Sequence, residues 1–385
     1  MTEKLIYMDY MSTTPVDPCI ATTMQKYLCF DGIFGNPISD HCFGQPAQKA
    51  IEEAQQRVAS VINADANEIL WTSCATEAND LAIHGTAIAQ QHRGKHIITS
   101  STEHKSVLKP CQLLEKQGFQ VTYLTPAENG IIHTEQVKQA LRNDTILVSI
   151  MHVNNEIGVI QDIASIGKLT RERGIVFHVD AVQSIGKLPI DVKAMCVDLM
   201  SFSGHKIYAP KGIGVLYYCQ KPRVRLTPRL LGGGQQQGLR AGTLPTHQII
   251  AMSEAFVLAQ NSMQTENQRI QKLFDRFLEQ IMPLGNIHLN GDKQHRVPHN
   301  LSLSFSGVAA ESLLLSLSHV AVSAGSACNT LSPEASHVLK AMGLSIEHAQ
   351  STLRFSFGRY TTLQEVDTVC QCLIKQVTKL REMAP

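Results

Sequence analysis

The sequence predicts an α/β protein: a large domain built on a mostly parallel sheet covered on both faces, with a smaller α+β unit at the C-terminal end. Three observations predict it. Between residues 60 and 220, short β-rich runs alternate with longer amphipathic stretches, which is the signature of successive strand–helix–strand units. From about Gln248 the pattern changes to one long helical stretch followed by separated strand-like segments. The chain has 385 residues, of which 43% are hydrophobic, enough to fill one large core and a smaller one.

The strands of the first region are expected at Glu68–Thr72, His96–Ser100, Gln120–Leu124, Thr145–His152, Ile175–Asp180, Leu199–Ser203 and Gly214–Tyr218. Helical patterns fall between several of them, at Glu77–Gln90, Ser106–Gln117, Thr134–Leu141 and Ile163–Glu172. Parallel strands need such crossovers, and ligands of these sheets bind beyond the carboxyl ends of the strands. The second region reads as a helix over Ile249–Met282, strands at Asn300–Phe305, Val320–Val322 and Thr352–Phe357, and a closing helix over Leu363–Met383. No internal repeat is visible.

Composition excludes several classes. Lys and Arg total 34 against 33 Asp and Glu, a net charge of +1, so nothing drives non-specific binding to nucleic acid. No apolar run approaches the roughly 20 residues that span a bilayer, and Met1–Pro18 lacks a secretory pattern. A soluble, cytoplasmic protein is expected, with no membrane and no direct nucleic-acid partner. The ten cysteines form no CxxC pair and read as reduced thiols rather than a disulfide framework. Cys370 and Cys372 lie on a helical pattern that turns them to different faces, poor geometry for a metal.

Two strand ends carry the chemistry. The run Ile175–Asp180 finishes on an aspartate, and Asp198–Ser203 leads into Gly204-His205-Lys206. Separately, these read as a cap or turn aspartate and a solvated lysine. Together they suit bound pyridoxal phosphate: the lysine amine takes the aldehyde as a Schiff base, and the aspartate keeps the pyridine nitrogen protonated so that the ring becomes an electron sink. Ser203 and His205 stand where a phosphate needs donors. Thr72-Ser-Cys-Ala75-Thr76-Glu77 joins a strand to a helix start, where free N–H groups and the dipole favour an anion; an ordinary threonine cap is the competing reading. The turn Pro210-Lys-Gly212-Ile-Gly214 has no third glycine and fails as a dinucleotide fingerprint.

Further candidates follow other strands. His104 is placed to stack on a ring and shuttle protons, though alone it reads as a polar loop residue. Asn154-Asn155-Glu156 forms another polar cluster. Cys328 sits among small and polar residues in Gly325-Ser-Ala-Cys328-Asn-Thr330, which points to an accessible thiol rather than a packed one. Arg354, alternating with apolar residues, offers a fork for a substrate carboxylate or a structural ion pair.

These residues carry a resemblance that covers nearly the whole chain. The segments Ala75-Thr76-Glu77, Thr102-Glu103-His104, Met151–Gly158, His178-Val-Asp180, Ser203–Lys206, Leu239–Pro245 and Gly325–Cys328 occur in the order found in cysteine desulfurases of the IscS/NifS type, class V of the fold-type I pyridoxal-phosphate enzymes. The chain resembles that family. The resemblance implies a fold-type I transferase with pyridoxal 5'-phosphate as cofactor, a large domain over 16–248, and a small domain made of 1–15 and 249–385 that carries the catalytic-cysteine loop. It implies that Lys206 is the Schiff-base lysine, Asp180 the partner of the ring nitrogen, Gln183 that of the ring hydroxyl, and His104 the stacking, proton-moving group. Ala75, Thr76, Ser203 and His205 would bind the phosphate, with Thr243 supplied by the other subunit of a homodimer. Asn155, also beside the cofactor, and Arg354 would hold the carboxylate of the L-cysteine substrate. Cys328 would take the sulfur as a persulfide, leaving L-alanine, and pass it to acceptors: an iron–sulfur scaffold and carriers for tRNA thiolation. No permanent metal is implied; Cys328 would serve at most as a transient iron–sulfur ligand shared with the scaffold.

The chain departs from the family in places. Cys74 stands where glycine is usual, implying a differently shaped phosphate turn. Ala241 replaces a common serine, Gln235-Gln236-Gln237 replaces a more charged stretch, and Asn36–Gly44 is one residue shorter. The sequence ends at Pro385 without the further tail of the housekeeping type, so weaker docking of a cluster scaffold is expected, with turnover unchanged. The rival readings are an aminotransferase or selenocysteine lyase of the same fold, whose cofactor residues would be shared, and a sulfur-assembly scaffold without turnover. Cys328 together with Lys206 and His104 favours the desulfurase.

Overall fold

The structure, a computed structural model, describes residues 5–324 and 335–383. Its strands in chain order are β1 Ile6–Tyr7, β2 Ile69–Thr72, β3 His96–Ser100, β4 Gln120–Leu124, β5 Thr145–Ser149, β6 Val176–Asp180, β7 Leu199–Ser203, β8 Gly214–Tyr218, β9 Ile287–Leu289, β10 Asn300–Phe305, β11 Val320–Ala321 and β12 Thr352–Ser356. The helices are α1 Pro18–Gln25, α2 Gly44–Val61, α3 Ala75–Gln90, α4 Lys105–Lys116, α5 Thr134–Ala140, α6 Ile163–Glu172, α7 Thr246–Ile281, α8 Ala310–Ser316, α9 His337–Ala341, α10 Ile346–Gln350 and α11 Leu363–Met383.

Seven strands form the main sheet in the order β2-β8-β7-β6-β5-β3-β4. Four neighbouring pairs are parallel, and only β8 runs against its two neighbours, β2 and β7. Every residue of β2, β3, β5, β6, β7 and β8 is buried, while the edge strand β4 is partly open. A sheet covered on both faces requires such continuous apolar runs. Because β2, β3, β5, β6 and β7 share one direction, Thr72, Ser100, Ser149, Asp180 and Ser203 all end at the same edge. Regular pairing of β5 stops at Ser149, short of His152. The chain beyond it still follows β6, with Ile150 N donating to His178 O and His152 N to Asp180 O.

A second core lies at the C-terminal end. The antiparallel sheet β12-β10-β9 and the parallel pair β1-β11 pack with the end of α7 and with α8 and α11. Helix α7 serves both cores. Ile249, Met252 and Phe256 join the first, whereas Ile270, Phe274 and Phe277 join the second. The N-terminal strand β1 also belongs to the second core, through Ile6 and Met8. Helix α2, which packs its Ala47, Ala50, Ile51, Ala54 and Val58 face inward and contacts α7, was not among the sequence expectations, nor was the two-residue β1. Among the described residues, nine cysteines are free thiols, and no helix is long and apolar enough to cross a membrane.

Candidate active site

The common edge of the parallel strands opens into a cavity of about 260 Å³. Asp180 and Gln183 reach it from the end of β6 and the turn after it, and Ser203, His205 and Lys206 from the end of β7. Ala75 and Thr76 enter from the start of α3, and His104 from the start of α4. Asn155, from the loop beyond β5, and Arg354, on β12, complete the wall. Nearly all of the residues singled out from the sequence therefore converge. Two do not. Thr243 is exposed and does not line the cavity. Cys328 lies outside the described residues.

Asp180 is held at both oxygens. Its Oδ2 accepts from Asn79 Nδ2 at 2.8 Å and its Oδ1 from the backbone N–H of Val182 at 3.0 Å. The same Asn79 nitrogen donates to Ser106 Oγ at 2.8 Å, and Ser106 Oγ lies 2.8 Å from His104 Nδ1. The backbone N–H of Ser106 also points at Nδ1, at 3.1 Å. An N–H donor leaves Nδ1 as the acceptor, so the proton of the neutral ring sits on Nε2. Burial pulls the His104 imidazole below its usual range; the Asp180 charge opposes this and the Lys206 charge adds to it. His104 is thus built as a neutral ring with a fixed tautomer.

Lys206 Nζ donates to the carbonyls of Met11 at 2.8 Å and Ser12 at 2.6 Å. The N-terminal segment therefore braces the lysine, although it is remote in sequence. His205 Nδ1 lies 3.1 Å from Thr13 Oγ1, and burial, aided by Lys206 and Lys211, brings the ring down to about 4. Helix α3 begins without a side-chain cap. Its N-cap residue, Cys74, has φ −175°, an extended conformation open to any residue, so the turn needs no glycine there. The close approach falls instead on Gly214 of β8, where a Cβ would lie 2.6 Å from the Cys74 carbonyl carbon. Glu77 closes the turn by accepting from Ser73 N at 2.7 Å and from Arg240 Nε at 2.8 Å. Gln236, in the stretch that departs from the family, pairs its amide with the Trp71 backbone at 2.7 and 2.9 Å and so covers the open edge of β2.

Arg354 makes the structural ion pair considered for it. Its Nη2 bonds Asp9 Oδ1 at 2.8 Å and Ser12 Oγ at 2.7 Å, and its Nη1 bonds the Asn155 carbonyl at 2.8 Å. Its Nε is buried with no hydrogen-bond partner among the described residues. The guanidinium is therefore an anchored ion pair that also faces the cavity. Behind His104, burial holds the Glu103 carboxyl well above the usual carboxylate range; Met151 N–H, 2.7 Å from Oε1, opposes this only in part.

Sequence reasoning missed Asn79, Ser106, Met11, Ser12 and His337. Asn79 follows Ala75 by one helical turn, the only local signal available. His337, in the first turn of α9, lines the cavity and contacts the Glu103 carbonyl at 3.0 Å. Met11 and Ser12 hold Lys206 through backbone carbonyls, which leave no trace in residue type.

The Asn79 bridge yields a testable consequence. Asn79→Ala removes a donor to Asp180 and one to Ser106 in a fully buried place. Leaving a buried charged acceptor short of a partner costs about 1–3 kcal/mol. Urea denaturation of the variant should show a midpoint lowered to match; an unchanged midpoint would mean that the bridge contributes nothing.

The chain belongs to the class-V aminotransferase family, whose model, "Aminotransferase class-V", matches residues 6–369. It is 56% identical over 381 residues to a cysteine desulfurase IscS of Pseudomonas entomophila (strain L48), an alignment covering 99% of this chain and 94% of that protein. Among solved structures it is similar to a "NifS-like protein" at TM-score 0.90 and 33% identity, covering 97% of this chain and 100% of the other. It is also similar to a structure described as SspA in complex with cysteine, at TM-score 0.82 and 38% identity, covering 93% and 100%.

Proposed function

We propose that the protein is a cysteine desulfurase that uses pyridoxal 5'-phosphate. The observation that carries this reading is one cavity shared by the Lys206 amine, the doubly held Asp180 carboxylate and the uncapped start of α3. The relatives named above agree with it. The residues present fit that cofactor. The free amides of the first turn of α3, with Ser203 and His205, make an anion cradle. The buried Asp180 matches a protonated ring nitrogen, and Lys206 and Gln183 stand within the same wall. When bound, pyridoxal phosphate withdraws electrons from the substrate Cα.

The protein's own groups do the remaining work. Lys206 anchors the cofactor and moves the Cα proton with its Nζ. Asp180 keeps the ring nitrogen protonated, and Gln183 donates to the ring oxygen. His104 covers the ring and, with its proton on Nε2, serves in proton transfer. Asn155 and Arg354 hold the substrate carboxylate. The Cys328 thiolate attacks the substrate sulfur: a sulfur–sulfur bond forms, the Cβ–Sγ bond breaks, and its electrons remain on Cβ, which takes a proton to give alanine. The persulfide sulfur is then handed to acceptor proteins for iron–sulfur clusters and tRNA thiolation, in the cytoplasm. In the proposed division, 16–248 bears most of the cofactor wall, and 1–15 with 249–385 bears Met11, Ser12, Arg354 and Cys328.

The active unit is a homodimer. Phe30, 83% exposed, stacks on Phe34 at 5.4 Å, and Phe34 lies 5.5 Å from Phe43, an apolar ring cluster open to solvent. Leu231 is 85% exposed on the segment that leads to Thr243. Such patches suit a partner surface, and Thr243, remote from its own cavity, is available to the partner's. An aminotransferase of the same fold is the rival. Incubation with L-cysteine, without any 2-oxo acid, separates the two. Alanine should accumulate steadily; no alanine without an added acceptor, with the added 2-oxo acid converted to its own amino acid, would make the protein an aminotransferase.

A further inference from the structure

Behind the cavity lies a second lysine. Lys187 closes the turn after β6, and Asn267 of α7 fixes its backbone by donating to Lys187 O at 2.8 Å. The turn is closely packed: Gly186, at φ +74°, would place a Cβ 2.9 Å from Ala259 Cβ. Lys187 Nζ donates to Gln183 Oε1 at 3.3 Å. Gln183 Nε2 donates to Met11 O at 2.9 Å, the same carbonyl that receives Lys206 Nζ. Lys187 and Lys206 also line one small cavity of about 30 Å³, together with Glu266.

An amide side chain can be turned either way, because its oxygen and nitrogen have nearly the same shape. An ammonium can only donate, so it accepts the oxygen end alone and leaves the nitrogen end for Met11 O and the cavity. We infer that Lys187 is a positioning residue that fixes the Gln183 amide with its N–H groups toward the cofactor ring oxygen. This deepens the cofactor reading above and rests on it. Burial, reinforced by the Lys206 charge and opposed by Glu266, brings the Lys187 ammonium down to about 7, so at pH 6 the group is charged and donates only. Without Lys187 the Met11 carbonyl alone holds the amide orientation, and an amide that turns sets its oxygen against the ring oxygen, a repulsive contact.

The test is the visible absorption of the protein reconstituted with pyridoxal phosphate, followed against pH. A donor to the ring oxygen favours its charged form, so loss of the donor raises the pH midpoint of the band. Lys187→Met should move the midpoint upward by about 1–2 pH units, the worth of one hydrogen bond to a charged group. Lys187→Gln, a smaller change in bulk, should move it the same way, and Lys187→Arg, again donor-only, should restore the wild-type value. Gln183→Ala should shift the midpoint as Lys187→Met does, and the double variant should shift no further. Additive shifts would show that Lys187 acts by its charge directly and would overturn the inference, as would an unmoved midpoint. A wild-type protein that develops no band with pyridoxal phosphate would overturn the cofactor reading and this inference with it.

Discussion

Lys206→Ala abolishes alanine production from cysteine and leaves no lysine that borohydride reduces to a pyridoxyl adduct. Lys206 is the lysine at the carboxyl end of β7, flanked by Ser203 and His205, the proposed phosphate donors, and held by the Met11 and Ser12 carbonyls at 2.8 and 2.6 Å. Those carbonyls orient Nζ and keep it in the cavity, which an amine needs if it is to reach both an aldehyde and a Cα proton. Loss of a positioned general base alone slows a reaction by about 10²–10⁴-fold, and loss of the covalent anchor adds to that. Lys187, though near, points its Nζ at Gln183 and cannot substitute. Peptide mapping after reduction checks the result. A pyridoxyl adduct retained in the variant would assign the anchor to another lysine.

Cys328→Ser separates cofactor chemistry from sulfur transfer. The hydrogen bonds described for Asp180, His104 and Lys206 come from Asn79, Val182, Ser106, Met11 and Ser12. The variant should bind pyridoxal phosphate and cysteine with the spectral changes of the wild type. It should release no sulfide to a reductant above the level without protein, and alanine formation should fall by about 10²-fold or more, because a serine hydroxyl is a poor nucleophile toward sulfur. Sulfide release at the wild-type rate would remove Cys328 from the mechanism.

Most of the main sheet was legible in the sequence, and the physical reason is burial. Strands covered on both faces must be apolar throughout, and the turns between them leave polar residues at one edge. His96–Ser100, Gln120–Leu124, Leu199–Ser203 and Gly214–Tyr218 agree with expectation to the residue. The reversal of β8 was not legible, because strand direction is set by connection and packing, and no residue pattern records it. The pairing of β1 with β11, Ile6 opposite Val320, was hidden for a similar reason: two residues carry no periodicity, and their partner lies more than 300 positions away. Within the site, the cavity-lining side chains of distinctive chemistry, such as Asp180, His104 and Lys206, were legible. Those that act at one remove were not. Asn79 and Ser106 resemble any polar residue of a helix start until Asp180 and His104 are seen at either end of them. The Cys74 substitution pointed to an altered phosphate turn; the extended backbone there explains why a side chain is accepted.

In the proposed reaction, sulfur leaves cysteine and comes to rest on one thiol of this chain. Mass spectrometry tests it most directly: the protein, reconstituted with pyridoxal phosphate, is treated with L-cysteine in the absence of reductant, alkylated and digested. The peptide containing Cys328 should gain one sulfur atom, in step with alanine release, and the peptides of the other nine cysteines should not. Alanine released with the extra sulfur on a different cysteine, or on none, would contradict it.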